Sequence, residues 1–163
     1  MKSNIEYAIL SKNEIAAIAK LGKQLNPKLT VEELRDYLIQ MFAFDNYICF
    51  GIFQDGQLIG ISSGWTTIRF YSGKQLEVDN VIIDEAYQST GVGKLFFEYI
   101  EDWAKKHSYK TIELNTYVQN SKSHKFYYNQ GFSILGFHFW TFLKCPFFIF
   151  LFTFWKIFSL FKN

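Results

Sequence analysis

Gln88-Ser89-Thr90-Gly91-Val92-Gly93-Lys94 is the stretch whose residue types and spacing could hold a charged ligand. Ahead of it runs Val81-Ile82-Ile83, continuous and β-branched, followed by an acidic loop. Behind it Val92, Leu95, Phe96, Tyr99, Ile100 and Trp103 recur at helical spacing, with Glu98, Glu101, Asp102 and Lys105 between them. The pattern predicts a buried strand, a turn, and an amphipathic helix that opens on glycine. Glycine lets backbone approach a ligand closely, and the unpaired N–H groups of a helix's first turn point outward as an anion site. A phosphate or pyrophosphate suits that chemistry.

The spelling separates the known phosphate loops. A Walker loop needs a glycine five residues before Gly93 and a Ser or Thr after Lys94, where this chain has Gln88 and Leu95. A dinucleotide fingerprint needs a small residue three after Gly93, where Phe96 stands. What remains, Q-x-x-G-x-G, resembles the coenzyme A pyrophosphate loop of the GNAT N-acetyltransferases. Downstream, Asn120-Ser-Lys-Ser-His-Lys-Phe126-Tyr127-Tyr-Asn-Gln-Gly131-Phe132 resembles that family's second signature, N-x-x-A-x-x-F-Y-x-x-x-G-F. It departs from it at Ser123, where alanine is usual. The two motifs and the elements between them cover Gln75 to Phe132.

The resemblance implies transfer of an acetyl group from acetyl-CoA to a primary amine by direct attack in a ternary complex. Val81 and Ile83 would offer backbone groups to the pantetheine arm, where the family's sheet splays apart. Gln88, Ser89, Thr90, Gly91, Val92, Gly93 and Lys94 would hold the pyrophosphate, and Asn120 would reach the arm from the other side. The Val81 amide would donate to the developing oxyanion. Family members that use a general base place a glutamate where Glu77 stands, and many place a thiolate-protonating tyrosine where Tyr127 stands.

The residues themselves allow these roles without requiring them. Glu77 shares a strand face with Asp79 at period two, so Asp79 could assist it or favour a cationic acceptor. A carboxylate in a partly buried strand is unusual, yet a salt-bridged residue near a strand start would read the same way. A phenol of pKa about 10 can donate to a thiolate of similar basicity. Tyr128, about 100° round the helix, faces elsewhere. Both could equally be core aromatics in a chain with 10 tyrosines. No cysteine lies in either motif, which disfavours a covalent acetyl-enzyme. The alternative is a non-catalytic acyl-CoA-binding, sensing or membrane-associated interaction domain of the same fold.

The elements that must position these residues follow in order. Ile5, Tyr7 and Ile9 alternate as a strand. Ser11 with Glu14, and Thr30 with Glu33, are capping boxes that open two helices. The first helix presents Ile15, Ile18, Ala19, Gly22 and Leu25, and the second Val31, Leu34, Leu38 and Met41. Tyr47 to Phe53 is apolar enough for a central strand. Asp55-Gly56 is a hairpin signal leading into Leu58-Ile-Gly-Ile61, and Ser72-Gly73 marks the next reversal. Strands are predicted over 75–83 and 111–118, joined by the helix above in a right-handed parallel crossover. Asn120 caps a short helix that Gly131 ends. Phe132 to about Leu143 supplies one or two last strands. The fold class is therefore α+β, one mixed sheet with helices on both faces.

A chain of 163 residues suits one domain, placed at 1–144, with 145–163 as an aromatic-rich tail. A net charge of +2, spread along the chain, implies no nucleic-acid partner. Cys49, Cys145 and the histidines show no metal spacing and suit a reducing, cytoplasmic setting. Pro146 to Phe161 carries seven phenylalanines and would expose well over ~1,000 Å² if left free. Its 16 residues reach only about 24 Å, short of a ~30 Å bilayer core, and Lys156 interrupts them. Packing on its own domain or across a homodimer, peripheral membrane contact, and the ending of a shifted reading frame all stay open. The acceptor, a small amine or a peptide amine, is not legible.

Overall fold

The computed structural model describes residues 4–143. The chain divides into two compact units, Met1–Ser133 and Ile134–Asn163, so the division precedes Lys144. The first unit runs β1 (Ile5–Ile9), a 3-10 turn (Lys12–Glu14), α1 (Ile15–Leu25), α2 (Val31–Met41) and β2 (Tyr47–Gln54). It continues through β3 (Gln57–Arg69), β4 (Gly73–Ile83), a second 3-10 turn (Glu85–Tyr87), α3 (Val92–Lys106), β5 (Thr111–Leu114) and α4 (Ser121–Asn129). The five strands lie in sequence order, antiparallel from β1 to β4 and parallel between β4 and β5.

Local chemistry sets these boundaries. Both capping boxes form: the Ser11 and Thr30 N–H groups each donate to a glutamate oxygen, of Glu14 and Glu33, at 2.7 Å. Asp55 at φ 50° and Gly56 at φ 79° give the two left-handed residues of a type I′ hairpin turn between β2 and β3. Gly131, at φ 87°, ends α4 in the left-handed conformation that glycine adopts without steric cost.

Two apolar clusters sandwich the sheet. One joins α1 and α2 to Cys49, Ile61 and Ile82; the other joins α3 to Phe50, Ile52, Ile59, Leu76 and Val78, with Phe126, Tyr127 and Phe132 packed against it. The buried face of α3 is rotated from the predicted one. Phe97 is fully buried, in edge-to-face contact with Phe126, Tyr127 and Phe132, while Leu95 is 45% exposed. α4 packs beside α3 as well as the sheet beneath it, and draws Phe97 inward. In α1, Leu21 is buried and Leu25 exposed, while Gly22 sits against Leu34 of α2.

β4 carries an irregularity that the alternation did not reveal. Ile61 pairs with Ile82 but Ser63 pairs with Asp79, so Asn80 and Val81 together oppose Ser62. Asn80 takes φ 48°, the left-handed conformation that asparagine tolerates better than most residues. Side-chain parity switches there. Leu76 and Val78 point into the α3 cluster, whereas Ile82 points into the α1–α2 cluster and Val81 and Ile83 pack with α3.

At the end of the described chain expectation and structure differ. β5 stops at Leu114 rather than 118, and among the described residues of the second unit, Ile134 to Leu143, no strand or helix forms. Ile134, Leu135, Phe137, Phe139, Trp140, Phe142 and Leu143 are all exposed. The segment alternates, but large apolar groups stand at both parities, so nothing favours one strand register over a one-residue slip. The 146–161 tail lies outside the described residues.

Candidate active site

β4 and β5 pair only from Gln75–Thr111 to Val78–Leu114, after which β5 ends and β4 runs on to Ile83 without a neighbour on that side. The Asp84 N–H donates to the Ile59 carbonyl of β3, so by alternation the polar groups of Ile83 and Val81 face the open edge. The Gln88 side-chain amide donates to the Ile83 carbonyl at 2.9 Å, which leaves the Val81 groups and the Ile83 N–H for a guest. An extended amide-bearing chain could add there as a strand would.

The open edge leads to the start of α3. Ser89 at φ 62° and Gly91 at φ 90° turn the loop through left-handed conformations, a kind of turn that can gather successive N–H groups into a concavity able to hold an anion. The Lys94 and Leu95 N–H groups already donate to the Gly91 carbonyl, and the Thr90 hydroxyl donates to that of Tyr87. The N–H groups of Gly91, Val92 and Gly93 precede the first intrahelical bonds. The two glycines have different reasons to be there. A Cβ on Gly91 would meet open space but a left-handed φ, whereas one on Gly93 would sit 3.4 Å from Phe126 and 3.8 Å from Ile83. Lys94 leans on Glu98 at 3.7 Å, and the Asn120 Oδ1 accepts from the Ser123 N–H as the α4 cap.

On the α1–α2 face of the sheet, cross-strand register assembles three rows. Cys49, Ser63 and Asp79 form the first, Tyr47, Trp65, Glu77 and Glu113 the second, and Thr67, Gln75 and Thr111 the third. The Tyr47 hydroxyl lies 2.8 Å from the Ser63 Oγ, and Trp65 is flanked by Tyr47 and Phe44. The Glu77 carboxylate pairs with Arg69 at 3.5 Å, and Asp79 is held by the Asn80 N–H and side-chain amide.

Asp79 links this face to α4. Burial first, and the Asp79 charge second, push the Tyr127 phenol up to about 12. Burial, with the Cys49 and Asp79 charges behind it, pushes Tyr47 well above its ordinary 10.0. Both phenols thus remain protonated donors across the neutral range. Tyr127 packs against Phe97, Phe126 and Phe132, while Tyr128 is 54% exposed. Burial also pushes the Cys49 thiol up to about 12, so it is a poor nucleophile.

Sequence reasoning missed Asn80, Tyr47, Ser63, Arg69 and Glu113. Only Asn80 left a local signal, an Asp-Asn pair inside an otherwise β-forming run. The others meet through register, which no short stretch encodes.

Residues 16–132 match the Acetyltransferase (GNAT) family. The chain is 23% identical over 127 residues to the uncharacterized N-acetyltransferase YhdJ of Bacillus subtilis, covering 77% of this chain and 89% of that one. It is 21% identical over 128 residues to a streptothricin acetyltransferase of Escherichia coli, covering 77% and 70%. Its fold is that of the aminoglycoside N-acetyltransferase AAC(6')-Iy in complex with CoA, with a TM-score of 0.78 over 89% of this chain and 98% of the other, at 17% identity. A motif-bearing α+β chain matched over most of its length in this way is an acetyltransferase of the GNAT family.

Proposed function

We propose that this acetyltransferase moves an acetyl group from acetyl-CoA directly to a primary amine of a small cationic acceptor. The observation that carries the reading is the β4 edge left unpaired beyond Val78, opening onto the N-terminus of α3. Val81 and Ile83 hold the amide-rich arm, and the loop from Gln88 to Lys94 holds the pyrophosphate through its N–H groups. Asn120 borders the arm from α4. The bulge turns the Val81 N–H outward, where it donates to the acyl oxygen as that carbon becomes tetrahedral.

Glu77 accepts the amine proton through water. Two residues of strand, about 7 Å, separate it from Asp79, which stands nearer the reacting carbon and assists. Tyr127, held protonated, donates to the departing thiolate. The thiol of Cys49 is buried and resists ionisation, which supports direct transfer over a covalent intermediate on that residue. The carboxylates of Glu77, Asp79 and Glu113, together with Trp65 and Tyr47, suit a cation with apolar edges. That a relative acetylates streptothricin and a fold neighbour acetylates aminoglycosides agrees with this acceptor class. A thiol-release assay over monoamines, polyamines and amino sugars tests the reading; release with none of them, by a protein that binds coenzyme A, would leave the sensing alternative.

The second unit carries a separate role. From Ile134 to Asn163 the chain has Lys144, Lys156 and Lys162 and no carboxylate side chain, in an aromatic-rich sequence. This composition supports contact with an anionic bilayer surface. Flotation with anionic and neutral vesicles tests it, and dimerisation without vesicle binding would replace it with self-association.

A further inference from the structure

We propose a latent acceptor subsite beneath Arg69, built from the Thr67–Gln75–Thr111 row and the Glu77–Glu113 pair, for the hydroxyl and second amine groups of an amino sugar. It rests on the acetyl-transfer reading only for its purpose. Within this row the Thr67 hydroxyl, the Gln75 side-chain NH₂ and the Thr111 hydroxyl are all buried without a hydrogen-bond partner. They fall in register across three strands, on the face that carries Glu77. Gln75 is 0% exposed, and its Oε1 is held by the Ser72 hydroxyl, so only its donor end is unspent. Unpaired buried polar groups are costly, and three in one row mark a place where a polar guest is expected.

The lid over this row comes from the β3–β4 turn. Arg69 pairs in register with Gly73, yet its guanidinium reaches Glu77, which pairs with Trp65. The arginine side chain therefore runs back along the face, past the Thr67–Gln75 row. Tyr71 of the same turn reaches Glu113 at 3.3 Å. Glu77 and Glu113 stand side by side in parallel register, an unfavourable pairing of like charges unless a cation attends them. Arg69 supplies that cation from within the chain, and its ion pair is partly exposed, at 47% and 32%. Exchange for a substrate ammonium therefore costs little. An acceptor that displaces Arg69 gains two carboxylates, one amide donor and two hydroxyls. That set matches a polyhydroxylated polyamine, whereas a simple monoamine can use only the carboxylates.

The test is calorimetric binding of neamine and of propylamine to the full chain saturated with coenzyme A. Arg69→Ala is expected to tighten neamine about tenfold and propylamine by much less. Adding Thr111→Val or Gln75→Met to Arg69→Ala is expected to reverse that gain. Unchanged coenzyme A affinity checks each fold, and if Gln75→Met fails that check Thr111→Val decides. An Arg69→Ala protein that binds neamine no better than the parent overturns the subsite. So does a Thr111→Val change that lowers Tm without touching neamine, since the row would then hold only structural water. Thiol release on the same samples separates the two readings. The expected binding pattern without turnover keeps the subsite and removes acetyl transfer; turnover of propylamine without the pattern does the opposite.

Discussion

The open edge of β4 with the start of α3, and the acidic aromatic face behind it, are built from different materials. The first is backbone: the Val81 groups and Ile83 N–H that β5 leaves unpaired, and N–H groups gathered by Ser89 and Gly91. The second is side chain: Tyr47, Trp65, Glu77, Asp79 and Glu113, brought together from four strands. A backbone site tolerates almost any sequence except at the residues that shape its turns. A side-chain site can change its ligand with one substitution. One scaffold can therefore keep its donor and exchange its acceptor.

That contrast can be broken most severely at Gly91. Gly91→Glu places a side chain and a negative charge in the concavity where pyrophosphate is proposed to sit, and coenzyme A affinity should fall at least about a hundredfold. Calorimetry checks this, and parental affinity would remove the loop from the donor site. On the other face, Glu77→Gln should lower turnover by about 10²- to 10⁴-fold with coenzyme A affinity unchanged. Steady-state rates beside those of Asp79→Asn decide which carboxylate takes the proton; full activity of Glu77→Gln at every pH would exclude it as the base. Tyr127→Phe should lower kcat by about tenfold or more and leave acceptor KM alone. An equal change in KM would make Tyr127 a packing residue.

Smaller effects sharpen the same comparison. The folded-state pKa values of Cys49 and Tyr127 rise from 9.0 and 10.0 to about 12, and Tyr47 is also raised. The native state therefore holds protons that the unfolded chain releases. Stability should be fully present below pH 9.0 and be lost as pH climbs through about 12. Urea midpoints at stepped pH measure this, and a flat profile to pH 12 would contradict the burial of these groups. The smallest contrast is between the two glycines. Gly91→Ala should cost about 1 kcal/mol, since alanine there must be left-handed, while Gly93→Ala should cost nothing or stabilise by about as much through helix propensity.

What was legible in the sequence follows from what is local. Both capping boxes, the Asp55-Gly56 turn, the Asn120 cap and the glycine-opened helix are each spelled within a few residues, and each is in place. The predicted apolar face omits Phe97 because periodicity within α3 carries no information about α4 beside it. The bulge at Asn80 leaves only the Asp-Asn pair as a local signal: one inserted residue flips every side chain after it, yet leaves the hydrophobic run 81–83 looking the same. Arg69 and Glu77 lie eight positions apart and looked unrelated until the β3–β4 hairpin folded one over the other. The segment from Phe132 to about Leu143 reads as strand on composition alone, and composition does not specify a partner.

Hydrogen–deuterium exchange of the full chain with and without coenzyme A tests the central claim most directly. The account predicts slowed exchange at the Val81 and Ile83 amides and across Gly91 to Gly93, with the Tyr47–Trp65–Glu77 face unaffected until an acceptor is added. Protection confined to that face, or none along the β4 edge, would contradict it.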